Sequence, residues 1–436
     1  TLQAPIEAET PPRGTLPYPK HAVVAFGSLP LSPETLQGLT VPKSANNKNK
    51  TPPYYTTLTE IQARSIPHAL AGRDVLGAAK TGSGKTLAFL IPLLERLYRQ
   101  RWTREDGVGA IVLSPTRELA GQIYAVLQTI GRFHHNLTLG LLIGGGGNSS
   151  SQKKKANHSI SATQFQQEQM AIPTTNILIC TPGRLLQHLE QTPYMMVDNL
   201  QMLVLDEADR ILDMGFRDAL VRILEYLPSS SVDGDGGDGG GRQTLLFSAT
   251  QTKTVKDLAV LSINRKNVEY IGVSSQDSEH NNNNNNGDDD DDNNGNAQGD
   301  HQMSSSHTPD RLKQAYVIVP VQHKLNCVYS FLKSHLQHKT IVFLASCSQV
   351  RFVWDLFCRL RPGLSVLALH GKLSQSKRLA VYDKFSITPH CVLFATDVAA
   401  RGLDFPNVDW VVQVDAPEDP DMYVHRVGRT ARFKSK

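Results

Sequence analysis

Cysteine, tryptophan and long apolar runs are all scarce in this chain of 436 residues. The five cysteines (Cys180, Cys327, Cys347, Cys358 and Cys391) form no CxxC pair and no metal-ligand spacing. That excludes a disulfide framework and a zinc ribbon. Most lie inside apolar runs such as Ile177 to Cys180, where a small buried thiol suits a reducing cytosol or nucleus. No apolar run reaches the ~20 residues a membrane helix needs, and no signal-peptide pattern stands at Thr1. The first residue is Thr rather than Met, as in a trimmed or processed fragment.

Basic residues are missing from two stretches. Residues 276–309 hold Asp277, Glu279, Asp288 to Asp292 and Asp300 without one Lys or Arg, and residues 229–241 hold Asp233, Asp235 and Asp238. These carry 11 of the 41 acidic residues, so the remainder has 45 basic residues against 30 acidic. A balance that basic suggests a polyanionic partner, solubility being the plainer alternative. Three segments read as insertions too poor in apolar surface to order: 147–171, with Lys153 to Lys155; 229–241, alternating Gly and Asp; and 276–309, with six Asn then five Asp. A shorter loop of the same kind is expected around 42–53.

Elsewhere, short β-branched runs alternate with helix-like stretches. Candidate strands are 74–77, 110–113, 177–179, 202–205 and 244–247, then 316–319, 340–344, 365–369, 392–394 and 410–414. Continuous apolar strands between helices imply parallel sheets covered on both faces. The expected organisation is a lead-in and loop over 1–53, an α/β domain over 54–272, a linker over 273–310 and a second α/β domain over 311–436. Ligands in such domains sit at the carboxyl ends of the strands, where the informative residues fall.

The first candidate strand runs into Ala78-Ala79-Lys80-Thr81-Gly82-Ser83-Gly84-Lys85-Thr86. Glycines at 82 and 84 let backbone N–H groups close around phosphate oxygens. Lys85 offers a point charge to the β and γ phosphates of ATP, Thr86 a hydroxyl to Mg2+, and the following helix its N-terminal dipole. Ala79 stands where the general P-loop pattern has its first Gly. A second apolar run, Leu203 to Leu205, delivers Asp206-Glu207-Ala208-Asp209. Asp206 suits Mg2+ held through water, and Glu207 suits orientation or deprotonation of an attacking water.

Asp206-Glu207-Ala208-Asp209 resembles the signature of the DEAD-box ATP-dependent RNA helicases, and further signatures follow in order from about Phe26 to Arg432. The resemblance implies two tandem RecA-like domains, ATP and Mg2+ as cofactors, single-stranded or short-duplex RNA as substrate, and a monomer acting away from membranes. Tyr55 to Gln62 resembles the adenine-reading segment, which implies Gln62 on the adenine edge and Tyr55 on its face. Tyr54 and Leu58 depart from the usual Gly and Pro. Ser248-Ala249-Thr250 resembles the segment that couples hydrolysis to RNA, with Asp209 as its partner; alone it also reads as an ordinary helix cap. Tyr423 to Arg432 resembles the arginine-finger segment, with Arg426 and Arg429 as the fingers. Ala399 to Asp404 resembles its neighbour, with Asp404 reaching the ribose.

An RNA groove is implied along Pro115-Thr116-Arg117, Gly144-Gly145 and Thr181-Pro182-Gly183-Arg184, joined by Arg378, Thr396 and Asp397. Small hydroxyls, backbone N–H groups and Arg suit phosphate and sugar rather than base edges. The prolines also read as turn residues, and Arg117 and Arg184 as helix-start charges. At finer grain, Leu245 to Ala259 and Phe357 to Gly363 look like nucleolar members acting in small-subunit ribosome assembly. That implies pre-rRNA or snoRNA, pre-ribosomal proteins, and the nucleus and nucleolus, with cytoplasm as the alternative. Relatives of that kind continue beyond the arginine-finger segment, so a C-terminally truncated second domain is expected from the stop at Lys436. Two other readings stay open: an ATP-gated RNA clamp in which hydrolysis serves release, and a DNA-acting relative.

Overall fold

The computed structural model describes residues 11–12, 17–18, 24–40, 55–79, 82–144, 159–229, 241–248, 258–259, 262–263, 267–272, 312–397 and 405–430. The 42–53 loop, residues 147–158 of the first insertion, 230–240 of the second and the linker 273–310 lie outside them.

Seven parallel strands form the first sheet: β1 (Asp74–Ala78), β2 (Ala110–Leu113), β3 (Leu139–Leu142), β4 (Ile177–Cys180), β5 (Met202–Asp206), β6 (Gln243–Ser248) and β7 (Val268–Gly272). Their order across the sheet is β3-β4-β2-β5-β6-β1-β7. The interior strands are apolar along their middles, with polar residues only at their ends, because each of their faces meets a different helix layer. Val75, Val112, Ile179, Val204 and Leu245 enter one core with helices α2 (Glu60–Leu70), α3 (Lys85–Arg99) and α4 (Arg117–Ile130). Their neighbours Leu76, Ile111, Leu178, Leu203 and Leu246 enter a second core with α6 (Pro182–Gln191), α7 (Ala208–Asp213) and α8 (Arg217–Tyr226). The period of two along each strand therefore divides one apolar run between two layers.

The second sheet has four parallel strands, β8 (Thr340–Phe343), β9 (Ser365–Leu369), β10 (Cys391–Ala395) and β11 (Trp410–Gln413), ordered β11-β8-β10-β9. Helices α9 (Lys324–Ser334), α10 (Cys347–Leu360), α11 (Gln375–Ile387) and α12 (Pro420–Val427) accompany it. Ile341, Phe343 and Leu393 face one core; Val342, Val392 and Phe394 face the other.

Four expectations are corrected. Strands β3 and β7 were not anticipated: both are edge strands, β3 with a Gly inside and β7 with Glu269 and Tyr270 among its apolar residues. The run 316–319, expected as a strand, belongs to no ladder among the described residues, and Tyr316 and Ile318 are 88% and 89% exposed. The first domain reaches further back than residue 54. Phe26, Leu29 and Leu39 are buried in its core, and α1 (Pro33–Thr40) packs so closely on α4 that a Cβ on Gly38 would lie 1.7 Å from the Ile130 carbonyl oxygen. Finally, the segment 147–171 is not wholly irregular: Ser159–Ala171 form helix α5. Polar contacts to α6, rather than an apolar stripe, hold it.

Candidate nucleotide site and interdomain groove

Strand β1 ends beside Ser248 of β6, and the Ala79 N–H donates to the Ser248 carbonyl at 3.1 Å. The chain then turns through Gly82 and Gly84, at φ of 77° and 96°, into α3. A Cβ on Gly84 would sit 2.5 Å from the Gln62 amide nitrogen, so the turn needs glycine for space as well as for its positive φ. Among the described residues, the buried Ser83 hydroxyl and Lys85 ammonium have no hydrogen-bond partner. An orphaned buried ammonium is costly; it marks a place where an anion belongs. Thr86 follows in the first turn of α3. Lys80 and Thr81 lie outside the described residues.

Gln62 stands over this turn. Its Oε1 accepts from the Thr59 N–H at 2.9 Å, completing a capping box at the start of α2, and its Nε2 donates to the Gly84 carbonyl at 2.9 Å. One donor and one acceptor position of the amide remain for a ligand. Tyr55 is half-buried, and burial raises its phenol pKa.

Strand β5 delivers Asp206 to the same edge, and Glu207 follows in the left-handed region at φ 49°, a strained conformation for a side-chain-bearing residue. Burial, together with the charge of Glu207, holds Asp206 above the usual carboxylate range, although Lys85 pulls the other way. Burial also opposes ionisation of Glu207, but Arg210, His425, Lys85 and Arg429 outweigh it and keep that carboxyl below its ordinary range. Arg210 Nη1 donates to Glu207 Oε2 at 3.3 Å.

Two of those groups, His425 and Arg429, belong to the second domain, and burial lowers the His425 pKa despite the neighbouring Asp209 and Glu207. His425, on α12, brings Nε2 to 3.9 Å from Asp209 Oδ2, and Arg429 is buried just beyond, its Nε donating to the His425 carbonyl at 3.1 Å. The site is thus assembled across the two sheets. Arg426, expected as a finger, is not part of it. Its guanidinium is buried in a fork on Asp397, with Nε and Nη2 each 2.6 Å from a carboxylate oxygen, while Nη1 donates to Gln413 and the Asp415 carbonyl. Every edge of that fork is used inside the second domain. Asp397, expected in the RNA groove, is correspondingly committed to Arg426. Thr250, Ala399 to Asp404 and Arg432 lie outside the described residues.

The other predicted groove residues gather where α4 and α6 begin. Thr116 caps α4 by accepting from the Leu119 N–H at 3.3 Å, Thr181 precedes α6, and Pro182 and Gly183 open it. Gly144 lies between Arg117 and Arg184: a Cβ there would be 3.8 Å from Arg117 Nη2 and 3.9 Å from Arg184 Cδ. Gly145 is outside the described residues. Burial, then the neighbouring Arg378 and Arg184, lowers the pKa of Arg117 despite Glu118. Among the described residues Arg117 makes no ion pair or hydrogen bond. Arg378 and Arg184 differ from it, each holding a carboxylate: Arg378 Nη2 lies 2.9 Å from Glu118 Oε1 across the domains, and Arg184 Nε lies 2.8 Å from Glu168 Oε2. One turn along both helices, Gln122 Nε2 donates to Tyr382 Oη at 2.9 Å. Just after β10, the Thr396 hydroxyl is buried without a partner among the described residues. Sequence reasoning assigned no role to Glu118, Gln122, Glu168, Arg210, Tyr382 or His425; of these, Glu118, Arg210 and His425 had a local signal, as neighbours of assigned residues.

A phosphate-accepting turn, two acidic residues at the end of a strand one place removed in the same sheet, and an arginine from a second parallel-sheet domain define a nucleotide-binding protein of tandem RecA-like domains. The DEAD/DEAH box helicase family model matches residues 59–258, and the helicase conserved C-terminal domain model matches 323–434. The chain belongs to the DEAD-box helicase family. The ATP-dependent RNA helicase dbp4 of Aspergillus niger is 49% identical over 415 residues, which is 95% of this chain and 43% of that protein. DBP4 of Coccidioides immitis is 48% identical over 416 residues, again 95% of this chain and 43% of the relative. This chain therefore spans less than half the length of those curated relatives. Among solved structures, Mss116p bound to ssRNA and AMP-PNP superposes with a TM-score of 0.68 at 29% identity, covering 86% of this chain and 67% of that one. S. cerevisiae Dbp5 bound to RNA and ADP BeF3 gives 0.67 at 26% identity, covering 94% and 86%.

Proposed function

We propose that the chain is the core of an ATP-dependent RNA helicase, in which RNA-stimulated ATP hydrolysis at the domain interface drives local unwinding or remodelling of RNA. The observation that carries this reading is the approach of Arg429 and His425 to Glu207 and Asp209. The acid edge of one domain meets an arginine and a histidine of the other, so hydrolysis requires both domains to be closed.

The residues present fit ATP and Mg2+. Among the described residues, Lys85 and Ser83 are buried donors without partners, and Asp206 is a buried carboxyl whose charge burial disfavours. Lys85 would bind the β and γ phosphates. Gln62 and Tyr55 would hold the adenine, and Asp404 the ribose. Thr86 and Asp206 would hold Mg2+, which when bound supplies charge between the phosphates. No cage of three or more His, Cys, Asp or Glu occurs among the described residues, so phosphate and water would complete its shell. Glu207, kept ionised by its cationic neighbours, would orient or deprotonate the attacking water. Arg429 would stabilise charge developing on the transferred group, and Ser248, beside the phosphate turn, would carry the coupling with Asp209 and Thr250.

For RNA, Arg117 offers an unpaired guanidinium, with Thr116, Gly144, Thr181, Gly183 and Thr396 giving small polar contacts to the backbone. Pre-rRNA or snoRNA as the target, pre-ribosomal partners and a nucleolar location are the finer part of this proposal. It is supported by the 49% identity to proteins named dbp4 and by the two sequence runs noted above.

The test is ATP hydrolysis by the chain with no polymer, with single-stranded RNA and with matched DNA. RNA-specific stimulation is the expected result. Equal stimulation by DNA would overturn the substrate, and turnover unchanged by Glu207→Gln would overturn the site.

A further inference from the structure

Helix α5 carries side chains whose contacts gather on Arg184 of the groove and on His188, one turn further along α6. Glu168 Oε2 accepts from Arg184 Nε and from His188 Nε2, both at 2.8 Å, while Gln164 Nε2 donates to Glu168 Oε1 at 2.8 Å. Phe165 stacks on the His188 ring, with centroids 4.5 Å apart, and the Arg184 guanidinium carbon lies 4.8 Å from the centre of the Phe165 ring. On the far side, Arg184 Nη1 donates to Gln187 at 2.8 Å, and His188 Nδ1 faces the Thr192 hydroxyl at 2.7 Å. Arg184 is thus held by its stacked face, its Nε and its Nη1, and no partner for Nη2 occurs among the described residues.

A helix with no apolar stripe ordinarily has little reason to dock. This one docks through a carboxylate, an amide and a ring, and each of them serves Arg184 or the histidine one turn further along α6. We infer that Glu168, supported by Phe165, is a positioning residue for the RNA groove. It acts through Arg184, which flanks Gly144 together with Arg117, and fixes the direction of the Arg184 guanidinium there. The inference rests on the RNA-binding reading above. Its physical basis is that a free arginine loses much rotamer freedom when it captures a phosphate, and a guanidinium already clamped on two sides loses little. The opposite sign is also conceivable on charge alone, because the Glu168 carboxylate cancels a positive charge next to a polyanion. Affinity decides between them.

The experiment is fluorescence anisotropy of a labelled single-stranded RNA with this chain and AMP-PNP, comparing Arg184→Ala, Glu168→Ala, Glu168→Gln and the Arg184→Ala/Glu168→Ala double variant. Arg184→Ala and Glu168→Ala are each expected to weaken binding about five- to tenfold, as for loss of one charge-assisted contact. Glu168→Gln, which still accepts from Nε, should stay near the parent, and the double variant should bind no more weakly than Arg184→Ala. Should Glu168→Ala fail to fold, Phe165→Leu is expected to weaken binding and to lose that effect in the Arg184→Ala background. Unchanged or tighter binding by Glu168→Ala, with Arg184→Ala weakened, overturns the positioning role and leaves the RNA groove standing. Unchanged binding by both Arg184→Ala and Arg117→Ala overturns the groove itself, and the inference with it.

Discussion

The contact between Glu118 and Arg378 joins residues 260 positions apart and exists only when the two domains meet. Glu118 is 3% exposed in its side chain and Arg378 is 17% exposed, with the charged atoms 2.9 Å apart. Truncating one partner of a fully buried pair costs about 3–5 kcal/mol. Here the pair is only partly dry, and water returns to Glu118 when the domains separate, so about 2 kcal/mol is the reasonable cost to closure. That lowers the closed-to-open ratio about 30-fold. If RNA binds the closed form, Arg378→Ala raises the RNA concentration for half-maximal ATPase stimulation by about that factor, with ATP binding to the isolated phosphate turn unaffected. The same outcome would follow if Arg378 touched RNA directly, so the decisive measurement is the double-mutant cycle with Glu118→Gln. A clasp predicts that Arg378→Ala does little more in the Glu118→Gln background, a coupling of more than ~1 kcal/mol. Additive losses would refute the clasp and return Arg378 to the RNA track. Tyr382→Phe, which removes the second rung to Gln122, should shift the same RNA midpoint about two- to fivefold, as for one neutral hydrogen bond.

Further expectations concern chemistry and stability. Glu207→Gln should retain ATP-analogue and RNA binding while turnover falls by at least ~100-fold, read from ATPase rates alongside anisotropy. Arg429→Ala should lose ~1,000-fold or more in turnover with little change in melting temperature. Arg426→Ala should instead strip Asp397 of its partner and destabilise the second domain by about 3 kcal/mol, seen as a lowered melting temperature. A melting temperature unmoved by Arg426→Ala would contradict its placement. His134, buried against the Thr35 hydroxyl of α1, is held neutral by burial, its pKa lowered from 6.5 to about 4. The unfolded chain takes up a proton near pH 6.5 and the folded chain does not, so stability should fall as pH drops from about 6.5 towards about 4, and level off below. The loss is about 3 kcal/mol at most. Urea midpoints of the first domain at pH 7 and pH 4.5 measure it, and His134→Gln should flatten that difference.

The sheets and the phosphate turn were legible in the sequence because their causes are local. A strand buried on both faces must be apolar at every position, as Met202 to Leu205 are, and a turn around phosphate must have glycine where φ is positive, as at Gly82 and Gly84. Lys85, Asp206 and Glu207 could be placed for the same reason, each sitting within a residue or two of a strand end. Edge strand β7 escaped because one of its faces, at Tyr270, meets no second layer, which relaxes the apolar requirement; β3 is short and interrupted by Gly140. What only the tertiary structure decided was how the arginines divide their work. Arg426 and Arg429 lie three residues apart in one segment and look equivalent on paper. Yet α12 ends between them, so one turns inward onto Asp397 and the other faces the acidic edge of the opposite domain. Likewise Arg117, Arg184 and Arg378 are three similar charges in sequence. Their differences come from carboxylates brought to two of them by folding, Glu168 on a helix that composition alone assigned to disorder and Glu118 on the far side of a domain interface. Backbone conformation follows from neighbours along the chain; which guanidinium stays free to meet a phosphate follows from neighbours in space.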